Sequence, residues 1–211
     1  MVRCRTYMNL KKRILALQSD LTNPEGISIS TNKNYPFAIF HYFPEEEFLM
    51  RTEMNSVVSV LRTKGWEILQ IDLLNIFLSK LNEIDNGISI QAFIKSEKEN
   101  YIDFGNDYEE SLQVLSNSLN RYFENPEFFP LWVKSEIGQI TANKDPKNTI
   151  LFVSRIGGLY PFYRVSTLLR SIDNETKYPT IILYPGHKTE QFYLSFMGVQ
   201  EADRDYRPRI Y

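Results

Sequence analysis

Apolar positions along this chain follow two rhythms, one of period near 3.6 and one of short unbroken runs. Leu10, Ile14, Leu17 and Leu21 stand at i, i+4, i+7 and i+11, the stripe of an amphipathic helix that Asn23-Pro24-Glu25-Gly26 ends. After a polar loop at 32–34, Phe37 to Tyr42 is an aromatic, β-branched run that reads as a strand closed by Pro44. Glu45-Glu46-Glu47 then opens a helix, because carboxylates in a first turn complement the helix dipole. Met50, Met54, Val57, Val58 and Leu61 share its apolar face, and Lys64-Gly65 ends it. Trp66 to Ile71 reads as the next strand, and Asp72 as the N-cap of a helix carrying Leu73, Leu74, Phe77, Leu78 and Leu81. Asn86-Gly87 is a turn, and the polar region from Ile88 to Asn106 reads as a connection. Tyr108, Leu112, Leu115, Leu119 and Tyr122 form one more helical stripe, ended by Asn125-Pro126. Phe128 to Val133 is apolar without a deciding period, and Asn143 to Asn148 is a turn-rich loop.

The stretch from Asn148 to Gly186 organises the rest. Thr149 to Val153 and Thr180 to Leu183 are apolar runs that read as strands buried on both faces. Between them Val165, Leu168, Leu169 and Ile172 recur at helical spacing, and Pro185-Gly186 reads as the turn that stops the second strand. Strand, helix and strand in this order make a βαβ unit. A second such unit spans Phe37 to Ile71. The expectation for residues 1–211 is a single α/β domain: a mainly parallel sheet of about four or five strands flanked by helices, a Rossmann-like or P-loop-like core without a phosphate-binding loop. Phe192 to Phe196 is expected as a short edge strand, turned by Met197-Gly198. Ser154-Arg155 and Tyr184-Pro185-Gly186-His187 fall at strand carboxyl ends, where open parallel sheets gather their binding surfaces.

Composition narrows the classes. With 43% hydrophobic and 24% charged residues the chain reads as an ordinary globular protein, and its 14 Phe and 13 Tyr suit either a large aromatic core or interfaces. A formal net charge of -2 leaves nucleic acid only a local basic patch. The one cysteine, Cys4, excludes an internal disulfide framework and a multi-cysteine zinc site. No run is long and apolar enough for a membrane span, and Lys11, Lys12 and Arg13 break the pattern of a signal peptide. The expected location is the cytoplasm.

The search for chemistry returns little. Gly157-Gly158 sits between a strand and a helix, but no G-x-x-x-x-G-K-[ST] surrounds it. A tight turn is the favoured reading of those glycines, with a degenerate nucleotide or phosphate site as the alternative. His41 and His187 both fall near strand ends, with Glu45, Glu46 and Glu47 close to the first, so a two-histidine metal or hydrolase site is conceivable without a spacing motif to raise it. Ser154, Ser166 and Ser195 lack a nucleophile elbow, and Cys4, beside Arg3 and Arg5, lacks a partner base. Arginines concentrate in the last third, at Arg155, Arg164, Arg170, Arg204, Arg207 and Arg209, interleaved with Tyr160, Phe162, Tyr163, Tyr206 and Tyr211. Glu201, Asp203 and Asp205 neutralise much of that field, which favours arginine–carboxylate pairs or a protein interface over nucleic acid.

FAIFHYFPEEEFLMR (37–51), LFVSRIGGLYPFYRVSTLL (151–169), TIILYPG (180–186), LSFMG (194–198) and the terminal YRPRIY are similar, in order and spacing, to the BrxB family of bacteriophage exclusion (BREX) systems. The resemblance spans most of the chain and contains nothing diagnostic between Ile88 and Asn143. It implies a role rather than a reaction. BrxB-like proteins accompany the phosphatase-like PglZ, the methyltransferase PglX and the ATPase BrxC, which together mark host DNA and block phage replication. No catalytic residues are implied.

The leading expectation is a non-catalytic adaptor that binds a larger subunit, PglZ first and BrxC or PglX next, with DNA contact indirect or weak. Its partner-binding edge would comprise Arg155, Tyr160, Phe162, Tyr163, Arg164, Arg207, Arg209 and Tyr211, an arginine–aromatic set of the kind found at interface hot spots. Alternatives are the degenerate nucleotide or phosphate binder and a DNA-binding accessory subunit.

Overall fold

The computed structural model describes residues 2–29, 36–105, 107–172, 176–188, 194–196 and 208–211, with side chains described from residue 9 onward except at 187–188 and 194–196. Five parallel strands form the sheet: β1 (Phe37–Tyr42), β2 (Glu67–Asp72), β3 (Thr149–Ser154), β4 (Thr180–Lys188) and, numbered in chain order after β5 (Leu194–Phe196), β6 (Arg209–Ile210). Their spatial order is β2-β3-β4-β1-β6, and β5 pairs antiparallel with the far end of β4. The helices are α1 (Val2–Leu21), α2 (Glu47–Thr63), α3 (Leu73–Asp85), α4 (Ile88–Asp103), α5 (Tyr108–Glu124), α6 (Phe129–Thr141) and α7 (Val165–Ile172).

Alternation along the central strands divides the core in two. Ala38, Phe40 and Tyr42 of β1, Ile150 and Phe152 of β3, and Ile181 and Leu183 of β4 face one way, against α1 and α2. Phe37, Ile39, Leu151, Val153, Ile182 and Tyr184 face the other way, against α3, α5, α6 and α7. The apolar stripe of α1 (Leu10, Ile14, Leu17 and Leu21) and that of α2 (Met50, Met54, Val57, Val58 and Leu61) are buried as their spacing demands. On the opposite face Phe77 is the hub of an aromatic cluster, stacked on Phe123 at 4.7 Å and edge-on to Phe129 at 5.8 Å.

Four elements differ from the sequence reading. The supposed connection at Ile88 is the helix α4, in which no residue is buried. A helix without a core-facing stripe leaves no apolar period to detect, although Gln91, Ala92, Lys95, Glu97 and Lys98 are good helix formers. The undecided segment at Phe128 starts α6, with Pro130 in the first turn and Phe129, Val133, Ile137 and Thr141 buried at steps of four. Pro185-Gly186 does not turn the chain; β4 runs through it, with Pro185 paired to Tyr42. Pairing with β3 ends at Ile182, so the proline lies where the strand has lost one neighbour and a missing N–H is tolerated. Finally, YRPRIY supplies β6, which adds to the outer side of β1.

Candidate functional site

β1 sends the chain to β2 at one side of the sheet, whereas the chain leaving β4 returns beyond β1 as β6. The sheet therefore changes direction between β1 and β4, and the crevice above their carboxyl ends is where open α/β sheets hold ligands. His41 and Tyr42 of β1 stand there in register with Tyr184 and Pro185 of β4.

His41 is 5% exposed, and both ring nitrogens are engaged. Nε2 lies 2.8 Å from the Gly186 carbonyl oxygen, which can only accept, so Nε2 carries the proton. Nδ1 then accepts from Arg13 Nη1 at 3.1 Å, which requires a neutral imidazole. The same Arg13 nitrogen donates to the His41 carbonyl, and Arg13 Nη2 reaches Glu46 Oε2 at 3.4 Å. Glu46 Oε2 also accepts from the Phe43 N–H at 3.0 Å. Burial lowers the Arg13 guanidinium below its ordinary pKa, with Glu46 opposing the shift. In the loop after β1, where a phosphate-binding sequence would present bare N–H groups, the Phe43 N–H is thus taken by a carboxylate of the chain itself.

Beside this knot lie two adjoining hollows of about 220 and 290 Å³ that share Tyr42, Glu47, Arg51 and Arg155. Met50, Met54, Val58, Phe152 and Leu183 give the first an apolar floor. Arg51 Nε donates to Glu47 Oε1 at 2.6 Å, and Arg155 Nη1 to Asp72 Oδ2 at 3.3 Å. Burial, then the hydrogen bond to Glu47, pushes the Tyr42 phenol above its ordinary pKa. Arg155 leaves β3 in the left-handed region, at φ 59°. Gly157 and Gly158 are demanded by close approach: a Cβ would lie 2.8 Å from Pro185 Cγ at the first and 2.8 Å from Leu74 Cδ2 at the second. Their lack of a side chain, rather than a left-handed turn conformation, is what this packing uses, since the positive φ in the turn belongs to Arg155.

Of the arginine–aromatic set named from the sequence, Arg155 and Arg164 are exposed, and Tyr160 and Phe162 are half-buried against the core. Tyr163 is 2% exposed, its ring 4.8 Å from that of Phe129, and Tyr211 is 7% exposed. The hydroxyl of Tyr211 and Arg209 Nη2 both bond to Asp20, at 2.7 and 2.9 Å, and the guanidinium covers the Tyr211 ring. Arg207, with Arg204, Glu201, Asp203, Asp205 and Tyr206, lies outside the described residues, as do the side chains of Cys4 and His187. Among the described residues no group of three or more His, Cys, Asp or Glu could hold a metal ion. The sequence places Glu46 near His41 as a carboxylate of a two-histidine site, but Arg13 and Arg51 go unmarked in it, because 28 residues separate Arg13 from His41 and no spacing motif joins them.

Residues 69–210 match the family model described as BREX protein BrxB. The chain belongs to the BrxB family. It is accordingly a component of a BREX anti-phage system, one that works with other subunits in phage exclusion. The match begins inside β2 and takes in the helices α3 to α7 and the Arg155 turn, while α1, β1 and α2 precede it. No curated protein and no solved structure gives a significant match. Among the described residues no helix is long and apolar enough to cross a membrane.

Proposed function

We propose that this BrxB family member is a non-catalytic assembly subunit that holds a larger BREX protein, PglZ first and BrxC or PglX next, for host DNA methylation and phage exclusion in the cytoplasm. One observation carries the reading. The sixteen-residue helix α4 buries none of its residues and leaves Ile88 and Ile102 70% and 69% exposed. Singly exposed isoleucines are ordinary, but Tyr101, Ile102, Phe104 and Tyr108 are exposed close together in sequence at the end of this helix, and a contiguous exposed apolar patch marks an interaction surface. The arginine edge at Arg155 and Arg164 remains available to the same partner, although its aromatic neighbours pack inward. Co-expression of the tagged chain with the whole operon, followed by purification, tests this. Retention of PglZ, BrxC or PglX is the expected result; a chain that emerges alone at micromolar concentration removes the adaptor.

The cleft favours a second reading, a binder of a small anionic molecule. Guanidiniums suit phosphate or carboxylate, and Arg51 and Arg155 line both hollows above an apolar floor. Glu47 and Asp72 already bond to these arginines and would have to release them. Calorimetry with ATP, GTP and NAD decides it: no heat at millimolar ligand rules it out, and heat lost in Arg51→Ala and Arg155→Ala supports it.

A further inference from the structure

The adaptor reading leaves open which face docks and what it docks to. The turn that joins α4 to α5 answers both. Among the described residues of 88–118 only Ser111 is buried, and its hydroxyl donates to Glu97 Oε1 at 2.9 Å, holding the two helices together near their shared end. Beyond that bond, Tyr101, Ile102, Phe104 and Tyr108 are 43%, 69%, 38% and 63% exposed. In sequence they lie among Glu97, Glu99, Asp103, Asp107, Glu109 and Glu110, six acids against two lysines, Lys95 and Lys98.

Local structure explains most of this charge, but not all of it. Asp107 caps α5, accepting from the N–H groups of Glu109 and Glu110, and carboxylates at a helix start complement its dipole. Glu97 accepts from Ser111, and Lys95 Nζ lies 3.7 Å from Glu99 Oε1. Asp103 instead stands at the carboxyl terminus of α4, whose last turn has no basic residue, and there its charge opposes the dipole. A net acidic tip that also exposes isoleucine and tyrosine is complementary to a basic, apolar surface.

We propose that this acidic, apolar tip docks a basic amphipathic segment of a protein partner, its lysines or arginines meeting the carboxylates and its apolar side chains covering Tyr101, Ile102, Phe104 and Tyr108. Nucleic acid is repelled by the same charge, and two copies meeting symmetrically would set acidic tip against acidic tip. The inference rests on the adaptor reading and adds to it the docking face and the chemistry of the partner.

Two variants test it, both confined to exposed positions so that unchanged thermal melting certifies the fold: Asp103→Lys with Glu109→Lys, and Ile102→Ser with Tyr108→Ser. In operon co-purification each should weaken retention of the partner subunit by at least about tenfold, and added salt should weaken the wild-type complex. If the wild-type chain retains a subunit and both variants retain it equally, the tip inference is overturned while the adaptor stands on another face. If the wild-type chain retains none, the adaptor falls and a synthetic Lys/Leu amphipathic peptide decides the tip by hydrogen exchange. Protection of 101–108 that both variants lose supports the tip; no protection overturns it. Concentration-dependent self-association abolished by the variants would also overturn it, assigning the face to a second copy.

Discussion

The Tyr211 hydroxyl donates to Asp20 Oδ2 at 2.7 Å, joining the strand added outside β1 to the last turn of α1. Arg209 shares that carboxylate at 2.9 Å, and the Tyr211 carbonyl accepts from the His41 N–H at 3.2 Å. One carboxylate thus fixes an edge strand, a helix and the buried histidine of the site. Tyr211→Phe, which removes one hydrogen bond and keeps the ring, should cost about 1 kcal/mol, whereas Asp20→Ala should cost more because it also removes the Arg209 ion pair. Urea unfolding of the two variants checks the order. Equal losses would show that the ion pair adds nothing.

Burial raises the phenols of Tyr42, Tyr163 and Tyr211 above the ordinary value of 10.0. Above that pH the unfolded chain gives up protons that the folded chain keeps, so the unfolded state binds fewer and stability falls as pH rises. Below it the contribution is fully present. Each such phenol adds a slope of about 1.4 kcal/mol per pH unit once the unfolded form ionises. Thermal melts at rising pH should therefore hold level through neutrality and fall steeply above about pH 10, the ordinary tyrosine value. Tyr163→Phe should make the fall shallower, and an unchanged slope in that variant would contradict the account.

Arg13 and Glu46 form the other internal pair, 18% and 7% exposed at their side chains. Removing one partner leaves a charge in a site that has excluded most water, which costs about 3 kcal/mol or more. Arg13→Met should also deprive the His41 Nδ1 of its donor, so its loss should exceed that of Glu46→Gln, which keeps an acceptor for the Phe43 N–H. A double-mutant cycle measured by chemical denaturation gives the coupling. Additive losses would mean that the two side chains act independently.

The sheet and its two cores were legible because their residues repeat: the stripes of α1 and α2, the buried runs of β1, β3 and β4, and the Asp72 cap, which accepts from the Asn75 N–H at 2.9 Å. α4 was not legible, for the same reason that it matters. Only Ile90 and Phe93 of its apolar residues reach the core, and only in part, so no sustained periodicity marks the helix. Tyr163 and Tyr211 were named for an interface on composition, which cannot tell a ring packed on Phe129 from one offered to a partner. The Arg13–His41 contact and the cleft shared by Arg51 and Arg155 depend on which strands become neighbours, and strand order is not written in any local pattern.

The same contrast predicts how the molecule opens. Amides of β3, flanked by β2 and β4 with Ile150, Leu151, Phe152 and Val153 buried, can exchange only when the whole domain unfolds. α4 is held by partly buried contacts from Ile90 and Phe93 alone among its apolar residues. Its amides should exchange through local opening, orders of magnitude faster than those of β3, and should do so without a change in the β3 rate. Phe77→Ala, at the centre of the aromatic cluster, should cost about 3–5 kcal/mol and speed β3 exchange to match, while leaving the outer turns of α4 little changed. Hydrogen exchange on the free chain measures all three. Protection of α4 equal to that of β3 would show that the helix belongs to the core after all, and would remove the ground for reading its exposed face as a docking surface.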